Sequence, residues 1–112
     1  GDKLNALFYM RSSDLCCGLN VNIAGYAYLT HVIAALTGYK VGTLGYIAAD
    51  PHVYKNHIAQ ATELLGRTPK PFPQFKFKKE FSTLEEALAL TYEDVEITGY
   101  EHCGKVKFEM AI

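Results

Sequence analysis

The sequence lacks the features that mark several classes of protein. Its 11 basic and 12 acidic residues give a formal net charge of -1, so no polyanion-binding surface is indicated and we expect no nucleic-acid partner. The longest apolar stretch, near Ile23–Leu36, is interrupted by Thr30 and His31, which favours a core helix over a membrane span. We find no repeat or low-complexity tract. The 112 residues therefore predict one domain with a modest core.

Cysteine is also scarce. Three cysteines, of which Cys16 and Cys17 are adjacent, make a poor disulfide framework, so we expect a reducing, cytoplasmic location. No leader with a charged start and an apolar run is visible, which gives no reason to expect export. The strand pattern begins directly after Gly1, and we expect a fragment of a longer protein.

The order of predicted elements is β-α-β-α-β-α-β-β, which indicates an α+β (mixed α/β) fold. Alternation from Leu4 predicts a largely buried strand that ends at Arg11. A loop over 12–19 leads to a helix that Asn20 caps, that runs to Thr37 and that Gly38 stops. That helix is apolar on nearly all sides, so we expect it to be central and buried. The other predictions are a strand over 40–49 with bends at Gly42 and Gly45, a helix over 54–65, a strand at Phe75 and Phe77, a helix from a Ser82–Glu85 capping box to Leu90, and strands over 95–100 and 106–110.

Arg11 and Ser12 stand where a strand pattern stops, which is where side chains leave the core. A guanidinium there can hold a phosphate group through two hydrogen bonds, and a serine hydroxyl can add a third. The alternative is a surface arginine that pairs with Asp14 or Glu63. Spacing alone does not decide between these two interpretations.

Asn22 lies in the first turn of the apolar helix, where a buried carboxamide needs hydrogen-bond partners. Its amide donates and accepts side by side and so can pair with N3–H and O4 of uracil. The alternative is a helix-start asparagine bonded to the backbone. His52 and Tyr54 follow Pro51 and can face one ligand, such as a ribose 3′-hydroxyl; the alternative is a helix start with a packed tyrosine.

Several potential metal ligands lack the spacing of a zinc site. They are Cys16, Cys17, His31, His57, His102 and Cys103. None forms a zinc ribbon or a pair of histidines on one helix face, and we predict no metal. A small buried thiol is the preferred interpretation of each cysteine of the adjacent pair, and a core histidine is preferred for His31.

Six motifs in order resemble the C-terminal half of thymidylate synthase, a folate-dependent family shared with pyrimidine hydroxymethylases. They are "YMRSSD", "GLNVNIAGYAYLTH", "DPHVYKNH", "GRTPKPFP", "DVEITGY" and "KFEMAI". The resemblance covers essentially all of residues 1–112 and implies the C-terminal part of a sheet-based domain with a buried central helix. It further implies methylation of dUMP to dTMP with 5,10-methylenetetrahydrofolate, and a homodimer.

The resemblance also implies roles for individual residues. The dUMP contacts would be Arg11, Ser12, Ser13, Asp14, Asn22, His52 and Tyr54. Asp14 and Asn22 would support catalysis, in which a cysteine thiolate attacks C6 of the base and Asn22 helps to stabilise charge on O4. The folate contacts would be Asp14, Gly18, Val21 and Ala111.

The chain departs from the family pattern at four places. The nucleophilic cysteine of the family belongs to a Pro-Cys-His motif, which we expect upstream of Arg11. The arginines that complete the phosphate site from a neighbouring subunit are also expected upstream. We therefore expect this chain to be inactive alone. Asn20-Val21 and Ala48-Ala49 replace Pro-Phe and Gly-Gly, which bears on the folate pocket. Two alternatives stay open, a pyrimidine nucleotide hydroxymethylase and a non-catalytic nucleotide-binding or assembly module, although an amide at position 22 favours uracil over cytosine.

Overall fold

The computed structural model describes residues 1–110 and has an α+β architecture of two small sheets and three α-helices within that range. Two 3₁₀ turns, Lys55–His57 and Tyr92–Asp94, precede α2 and β4. The elements in chain order are β1 (Lys3–Asp14), α1 (Leu19–Thr37), β2 (Lys40–His52), α2 (Ile58–Leu65), β3 (Gln74–Phe77), α3 (Leu84–Leu88) and β4 (Val95–Thr98). The predicted α+β class is confirmed.

The strands β1 and β2 pair in parallel, with α1 as the connection between them. The pairing continues to the ends of both strands, where Asp14 lies opposite His52. Both strands therefore run further than the sequence predicted, because the polar residues 12–14 join the ladder instead of forming a loop. A parallel pair with a helical crossover places the carboxyl ends of both strands at one edge.

The expected irregularity in β2 is present near Gly42. The register shifts between Leu4 and Ala6, opposite Val41 and Leu44, so β2 carries one extra residue there. The side-chain oxygen of Asn5 accepts a hydrogen bond from the backbone N–H of Thr43 at 2.8 Å. A Cβ on Gly42 would collide with that oxygen and would lie 2.8 Å from the backbone carbonyl oxygen of Leu4, so the bulge requires glycine.

Two aromatic clusters form the packed parts of the molecule. Phe8 of β1 stacks on Tyr26 of α1 with ring centroids 4.2 Å apart, and it also contacts Tyr46 of β2. The second cluster joins Tyr28 and His31 of α1 to Phe75, Phe77 and Phe81. Burial lowers the pKa of His31, which agrees with its predicted place in a core. The first cluster packs α1 against the β1–β2 sheet, and the second packs it against β3.

The prediction that α1 is buried all round is wrong for the described residues. Only Thr30 and Ala34 of this helix are classed as buried, because the two-stranded β1–β2 sheet is too small to cover more than one side. By length and composition alone α1 could cross a membrane, a test that core helices of soluble proteins also pass. The absence of a membrane partner stays a prediction.

Further features differ from the sequence predictions. Helix α2 begins at Ile58 and not at Tyr54, and β4 ends at Thr98 and not at Tyr100. Gly45 pairs regularly with Leu7, without the predicted bend. Helix α1 begins at Leu19 with Gly18 as N-cap, so Asn20 lies inside the helix. The capping box of α3 is formed by Thr83 and Glu86, not by Ser82 and Glu85, and the helix ends at Leu88. The backbone N–H groups of Ser82 and Thr83 lower the pKa of Glu86.

The predicted last strand, over 106–110, is not a strand in the structure. Phe108 instead packs its ring against His57 at 5.2 Å. The carbonyl of Glu109 accepts hydrogen bonds from side chains, Nδ2 of Asn56 at 3.2 Å and Nε2 of His57 at 2.6 Å. Side chains from the 3₁₀ turn before α2 thus take the place of a neighbouring strand.

Candidate functional site

The carboxyl ends of β1 and β2 bring the two predicted groups of site residues together. In the parallel register Ser12 lies opposite Asp50, and Asp14 lies opposite His52. The backbone N–H of Leu15 then donates to the carbonyl of His52 at 3.0 Å, which keeps the two strand ends joined beyond the ladder. The chain after β1 turns into α1 within five residues, so the first turn of α1 borders the same edge.

Arg11 is exposed on β1. The two partners that a surface interpretation would give it are engaged elsewhere. Glu63 pairs with Arg67 at 2.6 Å, and Asp14 accepts backbone hydrogen bonds within its own turn. No ion pair of Arg11 is found among residues 1–110. Its guanidinium therefore faces solvent with its donors free, and can accept an anion.

Asp14 organises the turn between β1 and α1. Its Oδ1 accepts from the backbone N–H groups of Cys16 at 2.9 Å and Cys17 at 3.2 Å. Burial raises the pKa of Asp14, but these two N–H groups, with His57 and His52 nearby, outweigh burial and hold the pKa below its ordinary 3.8. The carboxylate is therefore charged at neutral pH, and Oδ2 is left for another partner.

Asn22 is half-exposed, so the prediction of a buried carboxamide is wrong. Its backbone N–H donates to the carbonyl of Gly18 at 3.0 Å, and its side chain has no hydrogen-bond partner within the described part of the chain. The side chain that bonds the backbone at this helix start belongs to Asn20, whose Oδ1 accepts from Val21 N–H at 2.9 Å. The Asn22 amide borders an open surface depression of about 270 Å³ that residues of α1 alone form, with Val21, Gly25, Tyr26 and Leu29 as its other lining residues.

Gly18 lies against both neighbouring polar groups. A Cβ at this position would lie 3.2 Å from the Asp14 carbonyl oxygen and 3.4 Å from Oδ1 of Asn22. The lack of a side chain at position 18 therefore lets Asp14 and Asn22 approach the same space. Val21 is largely exposed beside it.

His52 and Tyr54 lie together, as their spacing predicted. Their rings meet edge to face at 5.3 Å, and Nδ1 of His52 lies 3.1 Å from the carbonyl of Asp50. Both side chains keep exposed surface, and the ring of Tyr54 also contacts His57 at 5.7 Å. The imidazole of His52 and the hydroxyl of Tyr54 can thus reach a ligand at the carboxyl end of β2.

The sequence interpretation missed the part that His57 plays here. His57 is almost fully buried, at 1 % exposure, and it links the Tyr54 ring to Phe108. The available signal was its position three residues after Tyr54, a spacing that brings side chains onto one face of a helical turn.

Two predicted contacts are placed differently from the rest. Ser13 is buried, at 1 % exposure, with a hydroxyl that has no hydrogen-bond partner. Its side chain is therefore not on the exposed edge, and its role in dUMP binding stays a prediction. Ala111 lies outside the described residues, and its predicted folate contact stays a prediction too.

The family resemblance of the sequence is confirmed. A family model described as thymidylate synthase matches residues 1–112, which is the whole sequence. That family is one of methyltransferases of nucleotide biosynthesis, whose members generally bind dUMP and use methylenetetrahydrofolate.

Proposed function

Because this chain belongs to the thymidylate synthase family, we propose that it holds dUMP at the carboxyl ends of β1 and β2. It does so as part of an enzyme that methylates dUMP to dTMP with 5,10-methylenetetrahydrofolate. The observation that carries the proposal is the register that puts Asp14 opposite His52. That register joins the polar ends of β1 and β2, and it supports placing the phosphate at Arg11 and the base at Asn22, whose side chains have no partner within residues 1–110.

The phosphate end of dUMP is assigned to Arg11 and Ser12. The guanidinium is exposed and lacks an ion pair within residues 1–110, so no partner must be displaced before it takes a phosphate. Arginine presents a planar fork of donors that matches two phosphate oxygens. Ser12 stands next to it and is half-buried, which leaves its hydroxyl accessible as a further donor.

The base end is assigned to Asn22. A carboxamide can accept from N3–H of uracil and donate to O4 at the same time, and the free state of this amide supports that use. The depression beside it includes Tyr26 and Leu29, which provides apolar surface for the flat face of a base. His52 and Tyr54 are assigned to the 3′-hydroxyl of the sugar.

The folate would approach from the α1 side of the nucleotide, where Asp14, Gly18 and Val21 lie. Methylenetetrahydrofolate supplies the one-carbon unit and the hydride. The protein supplies a charged Asp14 oxygen not engaged by the turn, and an open space that Gly18 leaves beside it. Ala111 is proposed to close over the folate.

The nucleophile is proposed to come from outside this sequence. Burial, and then the negative charge of Asp14, raise the pKa of Cys16, and the same two causes raise the pKa of Cys17. Both thiols therefore stay protonated at neutral pH and are poor nucleophiles. We accordingly propose that the chain binds nucleotide but does not turn it over alone.

Calorimetric titration of dUMP into the 112-residue chain tests this proposal. Loss of a bidentate charged contact removes about 1.5–3 kcal/mol, so Arg11→Ala should weaken dUMP binding about 10- to 100-fold. Lys70→Ala is the control, because it removes the same charge from an exposed position away from the strand edge. An affinity that Arg11→Ala leaves unchanged would overturn the assignment.

Assembly and location follow as further proposals. Large apolar side chains are exposed on β1 and α1, among them Leu7, Tyr9 and Val21, each more than 60 % exposed. Covering such surface favours association, and we propose a homodimer, which light scattering would test by its mass. The three free cysteines support a reducing, cytoplasmic location.

A further inference from the structure

Three potential metal ligands meet beneath the proposed nucleotide edge. Ligand atoms of Asp14, Cys16 and His57 all lie within 4.8 Å of one another. Two of these residues come from the turn after β1, and the third comes from the 3₁₀ turn before α2. The fold thus gathers residues that are more than 40 positions apart in the sequence, which is why ligand spacing did not reveal them.

The histidine is oriented as a metal-binding histidine would be. Nε2 of His57 lies 2.6 Å from the carbonyl of Glu109, and a carbonyl can only accept, so Nε2 carries the proton. Nδ1 is then the nitrogen with an available lone pair, and it is buried and has no hydrogen-bond partner among residues 1–110. Histidine ligands in metal sites commonly donate their second ring N–H to a carbonyl or carboxylate in this way.

The same geometry excludes a nucleophilic triad. A cysteine-histidine-aspartate triad needs both ring nitrogens, one for the thiol and one for the carboxylate. The Glu109 carbonyl occupies Nε2 of His57, so the single remaining nitrogen cannot serve both Cys16 and Asp14. A single cation bound by all three residues needs only the Nδ1 lone pair of His57.

We propose that Asp14, Cys16 and His57 form a binding site for a divalent cation of the zinc type. A thiolate, an imidazole and a carboxylate are the ligand types that zinc accepts, and three protein ligands leave a fourth position open. Ligand atoms around zinc stand about 3.5 Å apart, since each bond is about 2.0–2.3 Å. The ligand atoms lie within 4.8 Å of one another, so the longest separation must shorten by up to about 1 Å for all three to bind one ion. His57 stays fixed by Glu109.

Titration with Co²⁺, followed by optical absorption, tests the site without any enzymatic readout. The wild-type chain should bind one equivalent and show a thiolate-to-cobalt charge-transfer band in the near ultraviolet, and Zn²⁺ should displace the Co²⁺. Cys16→Ser should abolish the band and raise the Kd at least about tenfold. Cys17→Ser is the matched control, since it alters the adjacent thiol, which is not part of the cluster, and should leave both unchanged.

A second variant separates the site from a folding defect. Asp14→Asn keeps the size of the side chain and the hydrogen bonds of the turn, so it should retain the circular dichroism of the wild type while weakening Co²⁺ at least about tenfold. Absence of saturable binding to the wild type would overturn the site. So would a band that survives Cys16→Ser, or one that disappears with Cys17→Ser or Cys103→Ser.

Discussion

The β1–α1–β2 unit and the β3–α3–β4 unit satisfy their polar side chains in different ways. In the β3–α3–β4 unit, charged groups pair locally, as Lys76 does with Glu96 at 2.7 Å and Lys79 with Asp94 at 3.2 Å. In the β1–α1–β2 unit, Lys40 pairs with Asp2 at 2.8 Å, but Arg11 and Asn22 keep side chains without partners within residues 1–110. Polar groups that a fold leaves unpaired are candidates for ligand contacts. The first unit therefore carries the candidate site, and the second mainly supports it.

The largest expected effect comes from removing the aromatic packing of Phe8 in the β1–α1–β2 unit. Phe8→Ala should lower the free energy of unfolding by about 3–5 kcal/mol, because the ring is buried between Tyr26 and Tyr46 and its loss leaves a cavity. Urea denaturation measures the change. Leu7→Ala alters the adjacent residue, which is 66 % exposed, and should cost less than about 0.5 kcal/mol. Equal losses for the two variants would contradict the described core.

The free amide gives the second test. Asn22→Asp removes the donor for O4 of uracil, and a lost hydrogen bond of about 1–2 kcal/mol predicts dUMP binding weaker by about tenfold. The preference for dUMP over dCMP should fall by a similar factor, because an aspartate can accept from the cytosine amino group. Asn20→Asp is the control, and calorimetry with both nucleotides is the measurement. An unchanged preference would show that position 22 does not contact the base edge.

The third test sharpens the description of the supporting unit. Thr83→Ala should lower the free energy of unfolding by about 1 kcal/mol, because its hydroxyl caps α3 by accepting from the N–H of Glu86. Ser82→Ala should change it by less than about 0.5 kcal/mol. Urea denaturation of both variants decides which residue is the cap. A larger loss of stability for Ser82→Ala than for Thr83→Ala would support the Ser82–Glu85 capping box predicted from sequence.

The smallest expected effect concerns the acid behaviour of the turn after β1. The pKa of Asp14 is lower in the fold than its ordinary 3.8. The stabilisation is therefore fully present above 3.8 and is lost as the pH falls through the lower, folded value. The amide proton shifts of Cys16 and Cys17 in NMR spectra should report that midpoint below 3.8, and Asp14→Asn should show no transition. A midpoint at or above 3.8 would contradict the hydrogen-bonded carboxylate.

Local sequence signals predicted well those elements that a single residue or a regular alternation of apolar residues determines. Gly38 ends α1 with a φ of 72°, as a glycine stop predicts, and alternation located β3. The Gly42 bulge was also correctly placed. A parallel pair with a helical crossover accounts for the class of the fold and for the meeting of Ser12 and Asp14 with Asp50 and His52. The placement of Arg11, Asn22, His52 and Tyr54 around one ligand stays a prediction.

Other features depend on contacts that no local pattern contains. The strand predicted over 106–110 requires a neighbouring strand, but Asn56 and His57 supply side-chain donors to Glu109 instead. The burial predicted for α1 requires more covering surface than β1 and β2 provide. The meeting of Asp14, Cys16 and His57 depends on where α2 begins relative to β1. Sequence spacing does not encode that distance.

Mapping dUMP onto the chain by NMR is the most direct test of the central claim, that the edge shared by β1 and β2 is a nucleotide site. On titration, the largest amide shift changes should fall on Arg11, Ser12 and Asn22 and on the segment from His52 to Tyr54. The β3–α3–β4 unit should stay nearly unchanged. Shift changes concentrated in that second unit, or none at saturating dUMP, would contradict the account.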